Sequence, residues 1–194
     1  MSKPIKPWSR LSSITLHEAV TFDLVSHRVR SPTGHYEGDF FVIETYDFVN
    51  IIPITEARTV ILVNQYRHGL NDASLEIPGG LLKTEGNEGP EIAAIRELEE
   101  ETGYRASEVI SLGPIHPNPA VMDNSAYLFL GTGVEKVKSQ NLDLTEDIAI
   151  VEVPLDDIPN LITEGKIQHS LTICAFFHFF IQHGKAFNCI RWLN

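Results

Sequence analysis

Cys174 and Cys189 are the only two thiols in this 194-residue chain. Two cysteines build no disulfide framework, and these have no metal-ligand spacing. Cys174 falls in an apolar run and is expected as a buried thiol. Such usage suits a reducing cytoplasm. Basic residues are also scarce: 15 Lys and Arg stand against 26 Asp and Glu, a formal charge of −11. That balance argues against general binding to nucleic acid or to an anionic membrane. It also repels a phosphorylated ligand, so local cations must compensate wherever one binds. Long hydrophobic runs are missing. The most apolar stretch, residues 171–181, is too short to span a bilayer and contains His178. The N-terminal residues MSKPIKPWSRLSS are basic but hold no continuous apolar stretch, so no signal peptide is expected. No internal repeat or low-complexity tract occurs. What is there, 43% apolar and 21% charged residues, is ordinary for a soluble globular domain with a substantial core.

The chain is organised around residues 75–104, LEIPGGLLKTEGNEGPEIAAIRELEEETGY. This reads as a short strand, a glycine loop and a helix whose C-terminal half is packed with carboxylates. Pro90 is pre-shaped for the first helical position, with Gly89 as a weak cap before it. Ile92, Ala93, Ile95 and Leu98 form the apolar side, and Gly103 is placed to end the helix. Glu97, Glu100 and Glu101 stand at i, i+3 and i+4 and crowd one face. Each like-charged i, i+4 pair costs about 0.2–0.5 kcal/mol, and the macrodipole disfavours anions at this end. One reading is a solvated acidic face. The other is a site for a divalent cation, since three carboxylates suit Mg²⁺ or Mn²⁺. The Pro-Gly-Gly loop directly after a hydrophobic strand, and Arg96 among the carboxylates, favour the second.

Residues 96–104, RELEEETGY, resemble the C-terminal half of the Nudix box, REUxEExGU with U a bulky apolar residue. Glu88 matches the family's first glutamate, with seven residues between it and Arg96. There is one departure. The family has five residues between the box glycine and that glutamate, whereas Gly80 and Glu88 have seven between them, a two-residue insertion in the loop 83–87. Upstream, QYRHG at 65–69 and LEIPGG at 75–80 resemble the ADP-ribose pyrophosphatase branch, with Gly79 in place of the usual alanine.

The resemblance implies an α+β fold, an α/β/α sandwich with a mixed β-sheet core, the box helix and a C-terminal helix. It implies an N-terminal extension, residues 1–45, and a hydrolase domain, residues 46–194. Residues 1–20 show no clear pattern; residues 20–45 can form a hairpin around Ser31-Pro32-Thr33-Gly34. In the family such an extension helps build a homodimer and closes part of the nucleoside pocket. Trp8 is read as packing rather than ligand stacking. Two runs, 49–54 and 59–65, form a second hairpin. Further strands are read at 109–112, interrupted by Gly113-Pro114, and at 126–131 and 148–153; helices are read at 155–164 and 169–183. Residues 135–147 read as a polar, acidic and mobile loop.

The activity implied is metal-dependent hydrolysis of a nucleoside diphosphate-linked substrate, ADP-ribose or another nucleotide sugar, to a nucleoside monophosphate and a sugar phosphate. Glu97, Glu100, Glu101 and the Gly79 carbonyl would be ligands to Mg²⁺ or Mn²⁺. Glu100 doubles as a possible base. Arg96 would orient a carboxylate. Glu146 is placed as base or further ligand by the strand end Glu152-Val153-Pro154-Leu155, with Asp147 and Asp143 as rivals. Arg67 would hold a phosphate bidentately, or be a surface arginine paired with Glu76. Glu76 would accept a hydrogen bond from substrate or serve as Arg67's partner. The Leu81 backbone and Asp123 would touch the substrate. Two alternatives share the box: hydrolysis of dinucleoside polyphosphates or nucleoside triphosphates, and a non-catalytic domain that binds nucleotide sugars. No nucleic-acid or membrane partner is expected.

Overall fold

The computed structural model describes residues 4–82 and 88–187. The expected insertion at 83–87 and Cys189 lie outside the described residues. Two compact units are present: Met1–Tyr46 with His116–Asn124, and Asp47–Ile115 with Ser125–Asn194.

In the first unit, β1 (Ser9–Glu18), β2 (Phe22–Arg30) and β3 (Glu37–Thr45) form an antiparallel meander. Gly34, at φ 74°, supplies the left-handed residue that closes the turn between β2 and β3. β1 escaped the sequence reading because register shifts at Arg10/Ser12 and Thr15/His17 break its alternation. Trp8 packs edge-on against Tyr36 and Phe40, with ring centroids 6.0 and 5.7 Å away. Residues 116–124 join this unit at the free edge of β3. There the Ile43 N–H donates to Val121 O at 2.8 Å, and the Thr45 N–H to Asp123 Oδ1 at 3.1 Å.

The second unit contains β4 (Phe48–Ile54), β5 (Thr59–Arg67), β6 (Asp72–Glu76), β7 (Gly79–Leu81), α1 (Pro90–Thr102), β8 (Tyr104–Arg105) and β9 (Glu108–Ile115). It continues through β10 (Ala126–Thr132), β11 (Glu135–Lys136), β12 (Ile148–Pro154), α2 (Ile158–Thr163) and α3 (Ser170–His183). Its main sheet runs β12-β5-β4-β10-β9, mixed because β4 and β10 are parallel while the other neighbours are antiparallel.

Strand alternation makes three layers. Val49, Ile51, Ile61 and Phe129 point to Ala93, Ala94 and Leu98 of α1. Their neighbours Ile52, Ile54, Val60, Leu62, Leu128 and Leu130 point the other way, to Ile158, Phe176 and Phe179. All but Ile54 and Phe129 of these are fully buried, and those two nearly so. Truncating Leu98 to alanine would cost about 2–5 kcal/mol. The cost combines lost burial with the cavity left between helix and sheet.

The β4–β5 hairpin touches at a single pair, Ile54–Val60. Beyond it the strands splay: β6 pairs with β5, and β7 pairs with β4. Ile77 and Pro78 cross the gap, where the Ile51 N–H donates to Pro78 O at 3.0 Å. This split delivers the glycine loop to the middle of the sheet edge. Two local expectations change. Gly113-Pro114 does not interrupt β9; Gly113, at φ 98°, lets the strand continue beside a register shift at Leu128/Phe129. Residues 155–164 form a 3-10 turn, Leu155–Asp157, before α2. Among the described residues no helix is long and apolar enough to cross a membrane.

Candidate active site

α1 starts at Pro90 and stops at Gly103, whose φ of 72° and N–H bond to Glu99 O close the helix. Ala93, Ala94 and Leu98 face the sheet, while Ile92, expected on that side, is 62% exposed; Glu97 and Glu101 are turned toward the glycines of β7. Glu97 and Glu101 are 8% and 3% exposed, while Glu100 remains more open. Glu101 Oε2 accepts the Gly79 N–H at 3.0 Å. A Cβ on Gly80 would lie 2.5 Å from the Glu97 carboxylate. One on Gly79 would strike the Asn50 side chain and the Val49 carbonyl. The two glycines are thus required by close approach, and at Gly79 the neighbours are Asn50 and Val49.

Burial pushes Glu101 up to about 8; Glu97 and Glu146 act in the same direction, and the Gly79 N–H opposes them. Glu97 is also raised by burial, against the pull of Arg96. Arg96 Nη1 donates to Glu97 Oε1 at 2.8 Å and to Glu100 Oε2 at 2.9 Å. Its Nε and Nη2 donate to Glu88 at 3.0 and 3.2 Å. Burial works against the guanidinium's charge, but these carboxylates outweigh it and hold Arg96 protonated.

The acidic C-terminal turn of α1 is satisfied by the segment expected to be mobile. The Asn141 N–H donates to Glu100 O at 2.8 Å, and Gln140 Nε2 donates to Glu101 O at 2.6 Å. The Val137 and Lys138 N–H groups both donate to Gly103 O. Carbonyls that a helix end leaves open therefore anchor residues 137–141. Glu99, the remaining carboxylate, bonds Arg105 and Lys138, which hold it down at about 2. Beyond the anchor, Asp143 and Glu146 clasp each other: the Asp143 N–H donates to Glu146 Oε2 at 2.9 Å, and the Glu146 N–H to Asp143 O at 3.0 Å.

These elements enclose a cleft of about 430 Å³. Glu97, Glu100, Glu101, Asp143 and Glu146 line it with Arg67 and Arg96, five carboxylates against two guanidiniums. Gly79, Gly80 and Leu81 supply its backbone wall, and Asn50, Gln65, Asn141 and His169 complete its polar lining. Asp147 and Asp123 are not among the lining residues; Asp123 belongs to the first unit. Glu76 lies beneath the cleft wall, fully buried, with Oε1 and Oε2 taking Arg67 Nε and Nη2 at 2.9 and 2.7 Å. Burial raises the Glu76 carboxyl, but Arg67 and His169 more than offset it, so the group is held below its ordinary value. In this structure Glu76 is bonded to Arg67 and is not among the residues that line the cleft.

Sequence reasoning missed His169, Asn50 and Gln65 as lining residues. Asn50 and Gln65 interrupt apolar strands with a buried amide, which is the one signal that could have marked them. Asn50 Oδ1 and Gln65 Nε2 are buried without a partner among the described residues. Orphaned atoms of this kind call for a partner, whether water, ion or ligand.

The residues fit a divalent cation by chemistry. As they stand, no three acidic, histidine or cysteine groups among the described residues converge as a ligand set, and Arg96 is bonded to both Glu97 and Glu100. Yet hard carboxylate oxygens crowd one face, Gly80 leaves the space a Cβ would fill, and burial, with Glu97 and Glu146 beside it, drives Glu101 toward protonation.

Comparison with known proteins follows the same line. The chain is 35% identical over 128 residues to the methanol dehydrogenase activator of Bacillus methanolicus, spanning 66% of this chain and 68% of that protein. It is 32% identical over 166 residues to the ADP-ribose pyrophosphatase of Mycobacterium tuberculosis, spanning 85% of this chain and 79% of that one. A crystal structure described as an ADP compounds hydrolase shares the fold, with a TM-score of 0.84 at 21% identity, covering 95% of this chain and 98% of that chain. The sequence model of the NUDIX domain matches residues 47–175, and the chain belongs to the NUDIX domain family.

Proposed function

We propose that the cleft hydrolyses the diphosphate of a nucleotide sugar, with ADP-ribose as first choice, giving AMP and ribose 5-phosphate. The observation that carries this reading is the gathering of Glu97, Glu100 and Glu101 with Arg67 in one cleft that has a surplus of carboxylates. A diphosphate in such a field is repelled unless a cation accompanies it. The likeness to proteins named ADP-ribose pyrophosphatase and ADP-sugar pyrophosphatase supports the substrate class.

Glu97, Glu100 and Glu101 would hold the divalent cation, with the Gly79 carbonyl as a backbone ligand, and we take Mg²⁺ as the ion, with Mn²⁺ as substitute. When bound, the cation neutralises phosphate charge and makes water more acidic. Arg67 binds phosphate oxygens through the fork that Glu76 aims. Arg96 fixes the rotamers of Glu97 and Glu100. The Gly79 N–H fixes Glu101, and the Leu81 backbone borders the bound phosphate. Glu146 takes the proton of the attacking water, held by its clasp with Asp143; Glu100 is the rival base, and Asp147 is a weaker one because it does not line the cleft. Asp123 we keep as a substrate contact on the family pattern alone.

Residues 1–45 are proposed as a dimer-forming extension. All ten residues of β1 are exposed, and Ile14 and Phe41, 64% and 58% exposed, fall in one cross-strand row through Ser26. Light scattering after size exclusion tests for the homodimer. The free thiol Cys174 supports a cytoplasmic location.

The test is a panel: ADP-ribose, ADP-glucose, UDP-glucose, GDP-mannose, a dinucleoside polyphosphate and nucleoside triphosphates, each in Mg²⁺ and Mn²⁺, with products separated by chromatography. Preferential release of AMP from ADP-ribose is expected. Faster turnover of polyphosphates would replace this substrate. Binding without turnover would favour a regulatory domain, a reading that the relative named as an activator keeps open.

A further inference from the structure

Behind Arg67, a second chain of contacts reaches back into the cleft. Thr172 Oγ1, fully buried, accepts the Ile77 N–H at 3.1 Å and lies 3.0 Å from His169 Nδ1. The same Nδ1 is 3.1 Å from Glu76 Oε2. His169 itself lines the cleft and its side chain is 23% exposed.

These contacts decide the tautomer. An ionised carboxylate 3.1 Å from Nδ1 repels a lone pair there and favours a proton, for which Thr172 Oγ1 is a ready acceptor. Burial holds the imidazole below its ordinary range and so keeps it neutral; Arg67 adds to this and Glu76 opposes it. The lone pair is then left on Nε2. That atom makes no hydrogen bond among the described residues, on a side chain that is part-exposed and lines the cleft. His169 thus presents a neutral acceptor in the same cleft as Arg67, which can only donate. A donor cation next to a neutral acceptor complements a phosphate next to a hydroxyl.

We infer that His169 Nε2 accepts a hydrogen bond from a sugar hydroxyl of the substrate whose phosphate Arg67 holds, which makes His169 a specificity-determining residue. This rests on the function proposed above and extends it to a named contact. The hydroxyl can come from the nucleoside ribose or from the second sugar. Glu76 serves both neighbours, aiming the guanidinium and selecting the tautomer.

Two variants separate recognition from scaffolding. His169→Asn keeps an N–H donor near Thr172 and Glu76 but withdraws Nε2, and His169→Phe removes both. Their kcat/KM would be measured with ADP-ribose, with its 2′,3′-dideoxyadenosine analogue, and with the methyl ester of ADP, which lacks the second sugar. For ADP-ribose both variants should fall about tenfold, the worth of one hydrogen bond. The analogue that lacks the recognised hydroxyl should change less than about twofold, and which analogue this is identifies the source. An equal fall on all three substrates, or no fall on any, overturns the inference. If His169→Phe does not fold, His169→Asn carries the test alone. Wild-type protein that turns over none of the three fails the proposed function; calorimetric binding of the same compounds then decides the His169 contact by the same differences, and absence of any binding overturns it.

Discussion

The backbone N–H of Gly79 donates to Glu101 Oε2 at 3.0 Å, and it is the contact that most opposes the burial which drives this carboxyl to about 8. A main-chain donor on one strand therefore steadies the most buried carboxylate of the helix opposite. Glu101→Gln keeps the shape and an acceptor for that N–H while removing the charge. It should fold with unchanged or slightly higher melting temperature in chelator, because a charge that burial disfavours is gone. Its kcat should drop at least about 100-fold. Near-normal turnover at saturating Mg²⁺ would take Glu101 out of the reaction.

Gly80→Ala places a methyl group against the Glu97 carboxylate. Glu97 or β7 must shift, at a cost of about 1–3 kcal/mol. Wild type should gain melting temperature when Mg²⁺ or Mn²⁺ is added, and the variant should gain less. Scanning calorimetry with and without the ions reads the difference; an equal gain would mean that Glu97 is not a ligand.

Arg67→Ala leaves Glu76 buried without its principal partner, with His169 Nδ1 still 3.1 Å away. Because Arg67 is itself nearly half exposed, the loss should be about 1–3 kcal/mol, below that of a fully buried pair. Adding Glu76→Gln should restore much of the stability but none of the kcat/KM. Urea denaturation and steady-state kinetics on both variants separate the two effects. Recovery of activity together with stability would make Arg67 purely structural.

His169 gives a pH dependence of known sign. Its folded value lies below the ordinary one, so the folded state binds fewer protons than the unfolded chain. Its contribution is fully present above about pH 6.5 and is lost as pH falls through the lower folded value. Stability measured at about pH 7 and about pH 5 should therefore fall more in wild type than in His169→Asn. Equal falls would show that the imidazole is not desolvated.

Gln140 Nε2 bridges Glu101 O at 2.6 Å and Ile148 O at 3.2 Å, joining the end of α1 to the start of β12. Gln140→Ala should cost about 1–2 kcal/mol. It should also speed amide exchange at Asp143 and Glu146 and lower kcat more than it changes KM. Unchanged exchange would show that the backbone bonds of Val137, Lys138 and Asn141 are sufficient anchors.

The sequence alone determined what depends on spacing along one element. Pro90, Gly103 and the i, i+3, i+4 placement of Glu97, Glu100 and Glu101 follow from 3.6-residue geometry, so the acidic helix and its boundaries were legible. The apolar runs 49–54 and 59–65 were legible as strands, while the layered core was implied by the family resemblance and its two faces are seen in the structure. Tertiary structure decided what depends on register and docking. Ile77 and Thr172, 95 residues apart, meet because α3 packs on the sheet face formed by β4, β10 and β9, and the same docking brings His169 to Glu76. Gln140 finds Glu101 only once the open carbonyls of α1 attract a passing segment. The splay of β4 from β5, which opens the cleft, arises from pairing with β6 and β7 at opposite sides of one gap. No local pattern encodes such pairings, because each is chosen by the burial and hydrogen bonding of strands far apart in the chain.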